Sequence, residues 1–393
     1  MTHVSNLITA YPRDIFDPAN FAEVRRPTVE ASVLPACCYT SPEWYQREIE
    51  TMFKKEWLMV GRADRIPNAG DYFCVDIAGE PVIVVRDHAG QVRAHSASCR
   101  HRGTPVASGE GNCKAFQCPY HRWVYSLEGD LLGAPEMQRT KNFDRADYGL
   151  VPVRLESWEG FLFINFDPGA PRLAEFLGDL TEKMAQYRLS ELVWTRRKVY
   201  TLECNWKVYV DNSIECYHLP TVHEKTIEEY APMDAWVPEE AQGSYMMLYG
   251  LFPDTLALLK GQQGFDPIEG LGGPGVKRHD IPWIYPNTHI LATTDTVWWL
   301  TMFPEGPERM RVEVNSCFPK KTTERQDFAE IAAIYYKRLD TTNPEDNRIS
   351  ELQQKGLRAR LNRPGRYSFH EELVHTFANY ILDRVVGPAG GAR

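Results

Sequence analysis

Four residues stand out for what their side chains can hold. Cys99-Arg100-His101 is followed, after sixteen residues, by Cys118-Pro119-Tyr120-His121. Thiolate and imidazole both bind Zn²⁺ well, so two Cys–His pairs satisfy a tetrahedral zinc site. The same four also satisfy a [2Fe–2S] centre with two cysteines on one iron and two histidines on the other. The spacing tilts towards the cluster, because Cys-x-His is tighter than the usual zinc spacing and each pair holds one ligand of each kind. Pro119, Gly103, Gly109 and Gly111 fit loops that come close to a bound group.

A second constellation is Glu215-Cys216-Tyr217-His218-Leu219-Pro220-Thr221-Val222-His223. Glu215 and His218, three apart, are expected on one face of a helix. Pro220 is expected to break that helix and swing His223 back towards His218. Two imidazoles plus a carboxylate, with positions left open, make the facial triad of non-haem Fe(II) oxygenases. On spacing alone, two such histidines are more often satisfied or surface residues than metal ligands. A third ligand must come from elsewhere, and Asp346 is the candidate, with Glu345 its rival. Asn343-Pro344 reads as cap and first residue of a helix, which places both acids in its first turn. The helix dipole favours acids there without any metal.

These groups need elements to hold them. Ser41 to Trp57 reads as a helix capped by Ser41. From Gly70 the hydrophobic period falls to two. Short strands are expected over 71–77, 80–86, 91–97, 124–127, 131–132 and 158–166, which together make a small antiparallel β domain. After Asp167-Pro168 the pattern predicts a helix over 172–189, a strand over 193–204 and a helix over 205–217. Strands follow over 243–252, 287–303 and 309–318, then helices over 321–339, 344–359 and 369–384. Strands succeeded by packed helices argue for an α+β second domain.

Composition bounds the function. The 393 residues suit two domains, and 43% hydrophobic with 25% charged is a globular balance. Fifty-three acids against 44 bases give a net charge of −9, with no basic block, so nucleic acid and anionic membrane are disfavoured as partners. Nine cysteines, an odd number, read as metal ligands or buried thiols. Cys37-Cys38, being adjacent, read as structural thiols. His95, His370 and His375 read as surface or packing residues. No stretch of about 18 apolar residues and no apolar leader occurs, so a cytoplasmic protein is expected. No Gly-x-Gly-x-x-Gly run follows a strand, so NAD(P)H is expected to act only indirectly, through a separate protein.

CRHRG at 99–103, CPYHRW at 118–123 and NWKVYVDNSIECYHLPTVH at 205–223 resemble the α (terminal oxygenase) subunits of the Rieske non-haem iron ring-hydroxylating oxygenases. EDNRISELQQKGL at 345–357 and Pro364-Gly365-Arg366 match the family's C-terminal pattern. The likeness runs from about Tyr45 to Leu382. It implies a Rieske β domain followed by a helix-over-antiparallel-sheet catalytic domain. The expected bounds are 1–49 for an N-terminal helical segment packing with the catalytic domain, 50–166 for the Rieske domain and 167–393 for the catalytic domain.

The resemblance also implies roles. Cys99, His101, Cys118 and His121 take the places of the [2Fe–2S] ligands, and His218, His223 and Asp346 those of the mononuclear Fe(II) ligands. Glu215 takes the place of the carboxylate, more often Asp, that links an iron-ligand histidine to a Rieske histidine of a neighbouring subunit. Here those partners are His218 and another chain's His121. The implied activity is hydroxylation or oxidative demethylation of a small, aromatic organic substrate, with O₂ and with electrons from a ferredoxin or reductase component. Glu at position 215 points instead to a monooxygenase or demethylase of quaternary ammonium compounds. A homotrimer or higher homo-oligomer is implied. The competing class is an electron-transfer or zinc-binding protein without oxygenase activity. Pocket residues are expected from the motif-free middle: Met246, Met247, Leu251, Phe252, Leu256, Phe265, Trp283, Trp298 and Trp299. Arg100, Arg102 and Arg122 flank the cluster ligands and suit either an acidic partner or solvent.

Overall fold

The computed structural model describes Pro12 and residues 14–388. The first eleven residues, and with them the start of the expected N-terminal segment, lie outside the described residues. The chain divides into two compact units: residues from Lys54 to Phe176, and those up to Phe53 together with those from Leu177.

The Lys54–Phe176 unit is built on an antiparallel sheet of seven strands. Their order is Leu58–Arg62, Phe161–Asn165, Pro152–Trp158, Val92–Ser96, Glu80–Arg86, Asp71–Ile77 and Glu110–Asn112. A three-stranded sheet, Phe116–Gln117, Val124–Tyr125 and Leu131–Gly133, lies beside it in sequence. The expected strand over 158–166 is the second half of a hairpin. It turns at Glu159-Gly160, both at positive φ, so the preceding strand Pro152–Trp158 was hidden by its polar Arg154, Glu156 and Ser157. Phe116, Trp123, Tyr125, Leu127 and the thiols of Cys99 and Cys118 share one buried cluster.

The second unit carries a seven-stranded antiparallel sheet in the order Leu192–Leu202, Arg309–Pro319, Val297–Gly306, Thr288–Ala292, Lys277–Ile284, Tyr245–Phe252 and Trp236–Glu239. Val297 to Pro304 are buried continuously, so the sheet is not wet on either face there. The expected single strand over 287–303 is a hairpin, because Thr293 to Thr296 turn the chain. Asp295 anchors that turn, accepting from the hydroxyls of Thr293 and Tyr335. The strands over 277–284 and 236–239 were not foreseen, since Arg278, His279 and Asp280 interrupt the apolar pattern of the first.

Three helical expectations change. The stretch over 172–189 is two short helices, Leu173–Leu177 and Leu180–Met184. Gly178, at φ +57°, breaks them, and a Cβ there would lie 1.7 Å from the Gln242 carbonyl oxygen. The helix from Trp206 ends at Ser213 rather than near Pro220. Most importantly, Asn343-Pro344 does not open a helix. One helix runs unbroken from Phe328 to Leu357 with Pro344 inside it. Proline removes one backbone donor and so leaves the Asp340 carbonyl without its helical partner, while the Asn343 side chain adds a bond one position earlier, donating to the Leu339 carbonyl at 2.8 Å. Tertiary contacts with Leu202–Asn205 and Trp206–Ser213 hold the two halves in line.

Candidate functional site

The two Cys–His loops are closed in the same way. The Gly103 N–H donates to the Cys99 carbonyl at 2.8 Å, and the Arg122 N–H donates to the Cys118 carbonyl at 3.0 Å. The residue four positions after each cysteine sits at positive φ: Gly103 at +82° and Arg122 at +60°. Both thiols are buried and unpaired in any disulfide, whereas both imidazoles lie at the surface. The two Nδ1 atoms face each other at 3.2 Å. His101 is stacked on Trp123, with centroids 5.0 Å apart. The Tyr125 hydroxyl lies 3.2 Å from the Cys99 sulfur and accepts the Arg100 N–H at 3.0 Å. Burial, the His121 ring and Arg102 all push the His101 imidazole below its ordinary pKa, favouring the neutral ring that a metal needs. The four residues do not close around one ion. Among the described residues, the group of His, Cys, Asp or Glu ligand atoms that does is His218, His223 and Asp346, all within 4.8 Å of one another. Buried sulfurs on one side and exposed imidazoles on the other fit a binuclear cluster better than a single tetrahedral zinc.

In the other unit the second constellation assembles from two elements distant in sequence. Glu215 and His218 stand not on a helix face but in the turn that follows Ser213. His218 caps a short helix, Leu219–Val222, and Pro220 falls in its first turn, a position where a missing N–H costs nothing. His223 ends that helix. Its Nε2 lies 2.8 Å from Asp346 Oδ1, and His218 Nε2 lies 3.7 Å from the same oxygen. The Asn212 amide donates to Asp346 Oδ1 at 3.0 Å.

Each imidazole is held from behind by a carboxylate. Glu215 Oε1 lies 2.6 Å from His218 Nδ1, and Glu215 Oε2 accepts the His218 N–H at 3.2 Å. Glu345 Oε2 lies 2.7 Å from His223 Nδ1 and accepts from the Thr226 hydroxyl at 2.8 Å. Such partners fix the tautomer so that Nε2 presents its lone pair forward. Glu345 is therefore not a rival to Asp346: it lies on the far side of His223. Burial works to lower the His223 imidazole, but Asp346 and Glu345 outweigh it and hold the ring above its ordinary pKa. Burial likewise raises the Asp346 carboxyl, and His223, His218 and Asn212 together bring it below the usual range.

These three residues open onto a cavity of about 120 Å³. Its walls include Tyr209 and Asn212 from the helix Trp206–Ser213, Ile227 and Ala231 from the segment after His223, and Leu248, Ile281, Leu291, Trp298 and Leu300 from the sheet. Leu256 and Trp298 were foreseen. Met246 and Trp283 line a much smaller neighbouring void, Phe265 packs on Tyr335 and Phe328, and Leu251 is exposed. Sequence reasoning missed Trp236, His279, His289 and Arg338, which also line the cavity. Burial drives His279 down to about 4 and His289 down to about 3, so both rings are neutral near pH 7.

A Rieske [2Fe-2S] domain model matches residues 56–144, and the model of the ring-hydroxylating alpha subunit catalytic domain matches residues 189–387. The carnitine monooxygenase oxygenase subunit of Escherichia coli K12 is 32% identical over 334 residues, covering 84% of this chain and 86% of that one. The chain belongs to the Rieske ring-hydroxylating oxygenase alpha subunits.

Two further relatives bracket this oxygenase. The glycine betaine monooxygenase oxygenase subunit of Pseudomonas aeruginosa is 27% identical over 413 residues, covering 96% and 95% of the two chains. A quaternary ammonium Rieske monooxygenase of solved structure superposes with a TM-score of 0.80 at 24% identity, over 92% of this chain and 97% of that one. At that identity the likeness shows the fold, Rieske domain followed by catalytic domain. The oxygenase thus carries a Rieske cluster domain and a mononuclear-iron domain, and enzymes of this kind work with reductase or ferredoxin partners. The alternative of a zinc-structured protein without oxygenase chemistry falls away. No helix among the described residues is long and apolar enough to cross a membrane.

Proposed function

We propose that this oxygenase is a monooxygenase of a small quaternary ammonium compound, attacking a C–H bond beside the nitrogen and so leading to loss of an N-substituent. The observation that carries the reading is the small, largely apolar cavity closed at one end by His218, His223 and Asp346. The carnitine and glycine betaine relatives, with Glu at 215 in this chain, supply the substrate class. The aromatic substrate that the family resemblance suggests is supported only at the level of fold, by a naphthalene dioxygenase from Rhodococcus with a TM-score of 0.76 at 21% identity.

In this reading Cys99, His101, Cys118 and His121 hold the cluster, and His218, His223 and Asp346 hold the mononuclear iron. When bound, that iron activates O₂ with electrons that the cluster delivers one at a time. The chain's own residues do the rest. Glu215 and Glu345 keep both Nε2 atoms aimed at one point, and Asn212 fixes the Asp346 carboxylate. Leu248, Ile281 and Leu300 keep water from the reacting end. Both Glu215 oxygens are used within the chain, but each carboxylate oxygen accepts two bonds. Glu215 therefore has room to accept a further donor, His121 of a neighbouring copy, in a homotrimer of head-to-tail contacts.

The test is reconstitution with a reductase, NAD(P)H and O₂ against a panel of trimethylammonium compounds and aromatic acids. Purified protein should show Rieske absorption and about three irons per chain. His218→Ala should abolish substrate oxidation while leaving the cluster spectrum intact. Oxidation confined to the aromatic members refutes the substrate class.

A further inference from the structure

Among the described residues, the cavity is lined by one cation, Arg338, that no carboxylate contacts. Arg338 is 6% exposed and lines the wall. Among the described residues no carboxylate pairs with it. Its Nε is buried without a partner. Nη1 reaches only the Thr342 hydroxyl, at 3.4 Å, and the guanidinium lies over Trp298, 5.1 Å from the ring centroid. Other buried or half-buried cations of this unit are paired: Lys207 with Glu48 at 2.8 Å, and Arg196 with Asp340 at 2.7 Å. Of the imidazoles that share the cavity, His279 and His289 are neutral near pH 7, both through burial. A guanidinium cannot shed its proton to relieve burial, so its fixed charge calls for an anion.

Position gives the anion a place. Arg338, Thr342 and Asp346 recur every four residues on the helix Phe328–Leu357, and all three line the cavity. Arg338 and Asp346 stand about 12 Å apart along the axis. One end of a bound molecule thus meets the iron-holding residues and the other meets a fork suited to a carboxylate.

We propose that Arg338 is the specificity-determining residue for a substrate carboxylate. Resting on the reading above, this makes the substrate a zwitterion, a trimethylammonio-alkanoate, rather than a cationic alcohol. Arg338 binds the carboxylate through Nε and Nη, Trp298 keeps the guanidinium flat against the wall, and the ammonium end is left at the iron-holding residues. A purely cationic substrate would bring a second positive charge towards an unpaired one in a confined cavity, which disfavours it.

The experiment uses the iron-loaded holoenzyme and two acid–ester pairs. The first is 4-(trimethylammonio)butanoate with its methyl ester, and the second is 5,5-dimethylhexanoate, in which carbon replaces the nitrogen, with its methyl ester. Binding is measured by calorimetry under argon. Each acid that enters the cavity should bind about a hundredfold more tightly than its ester. Arg338→Gln should erase that preference, and Arg338→Lys should restore part of it. Equal binding of acid and ester in both pairs by the unaltered enzyme, including binding of neither acid, overturns the proposal without need of any variant. So does an acid preference that Arg338→Gln leaves intact. A preference seen in the dimethylhexanoate pair alone upholds Arg338 as the carboxylate site and refutes the quaternary ammonium reading. Oxidation of trimethylammonium esters as readily as acids does the reverse.

Discussion

Glu345 offers the sharpest test of how the mononuclear site is built, because on sequence it stands as the rival to Asp346. In the structure it touches His223 Nδ1 at 2.7 Å, on the ring edge opposite Asp346. A carboxylate in that place orients the ring and raises its basicity, and losing such a partner costs about 10- to 100-fold in metal affinity, or roughly 1.4–2.7 kcal/mol. Glu345→Gln keeps the length and an amide oxygen that can still accept from Nδ1–H and from Thr226. It removes charge but not geometry, so about tenfold is expected. Glu345→Ala removes both and frees the ring to turn, so about a hundredfold is expected. Asp346→Asn, by contrast, alters a group presented to the iron itself and should exceed either. The assay is Fe(II) competition against a chelator under argon, with the Rieske spectrum as internal control for cluster loading. An affinity unchanged in Glu345→Ala, or a Glu345→Gln defect equal to that of Asp346→Asn, would refute the assignment of a positioning role.

Other perturbations test other parts. Glu48→Gln strands the fully buried Lys207 ammonium beneath the helix Trp206–Ser213 and should cost about 3–5 kcal/mol in denaturant unfolding, with much of it recovered in Glu48→Leu/Lys207→Met. Asp211 is pushed up to about 7, chiefly by burial, with Glu371 and Glu215 adding to it against Tyr39 and Lys207. A folded-state carboxyl above its unfolded value lends stability that is present in acid and lost as pH rises through the folded pKa. Stability should therefore fall between about pH 4 and 7, by at most about 4 kcal/mol, and Asp211→Asn should flatten that slope in unfolding measured against pH. Ala292→Phe should fill the cavity and raise KM at least about tenfold while the cluster spectrum stays unchanged. Under the proposed reading, in which the bridge at Glu215 passes electrons between copies, mixing His121→Ala chains with His218→Ala chains should restore part of the activity that neither has alone. Two dead pools that stay dead on mixing would count against it.

What the sequence disclosed was what local spacing encodes. Cys99-x-His101 and Cys118-x-x-His121 each fold within a single tight loop, so their chemistry is visible in a few residues. His218 and His223 were legible for the same reason, although the helix expected to carry Glu215 ends earlier, at Ser213. Misjudgement began where tertiary contacts decide. Pro344 carries a strong helix-start pattern, yet the one lost backbone bond is outweighed by packing along a 30-residue helix. Glu345 and Asp346 are neighbours on that helix, and only their different directions from the axis, about 100° apart, place Asp346 in front of His223 and Glu345 behind it. The cavity wall was largely hidden, because Arg338, His279 and His289 are polar residues in apolar surroundings, which periodicity reads as interruptions. Their common signal is an ionisable residue inside an otherwise buried run.

His223 and Asp346 lie 123 positions apart in the chain and 2.8 Å apart in space. An ion gripping both is thus also a cross-link, closing a loop that contains six of the sheet's seven strands. Loops of that length, when tied by a covalent bond, cost an unfolded chain entropy worth about 4–5 kcal/mol. Metal loading and the stability of the catalytic unit are therefore linked: a chain that releases an ion from this site also loses a clasp on its own fold.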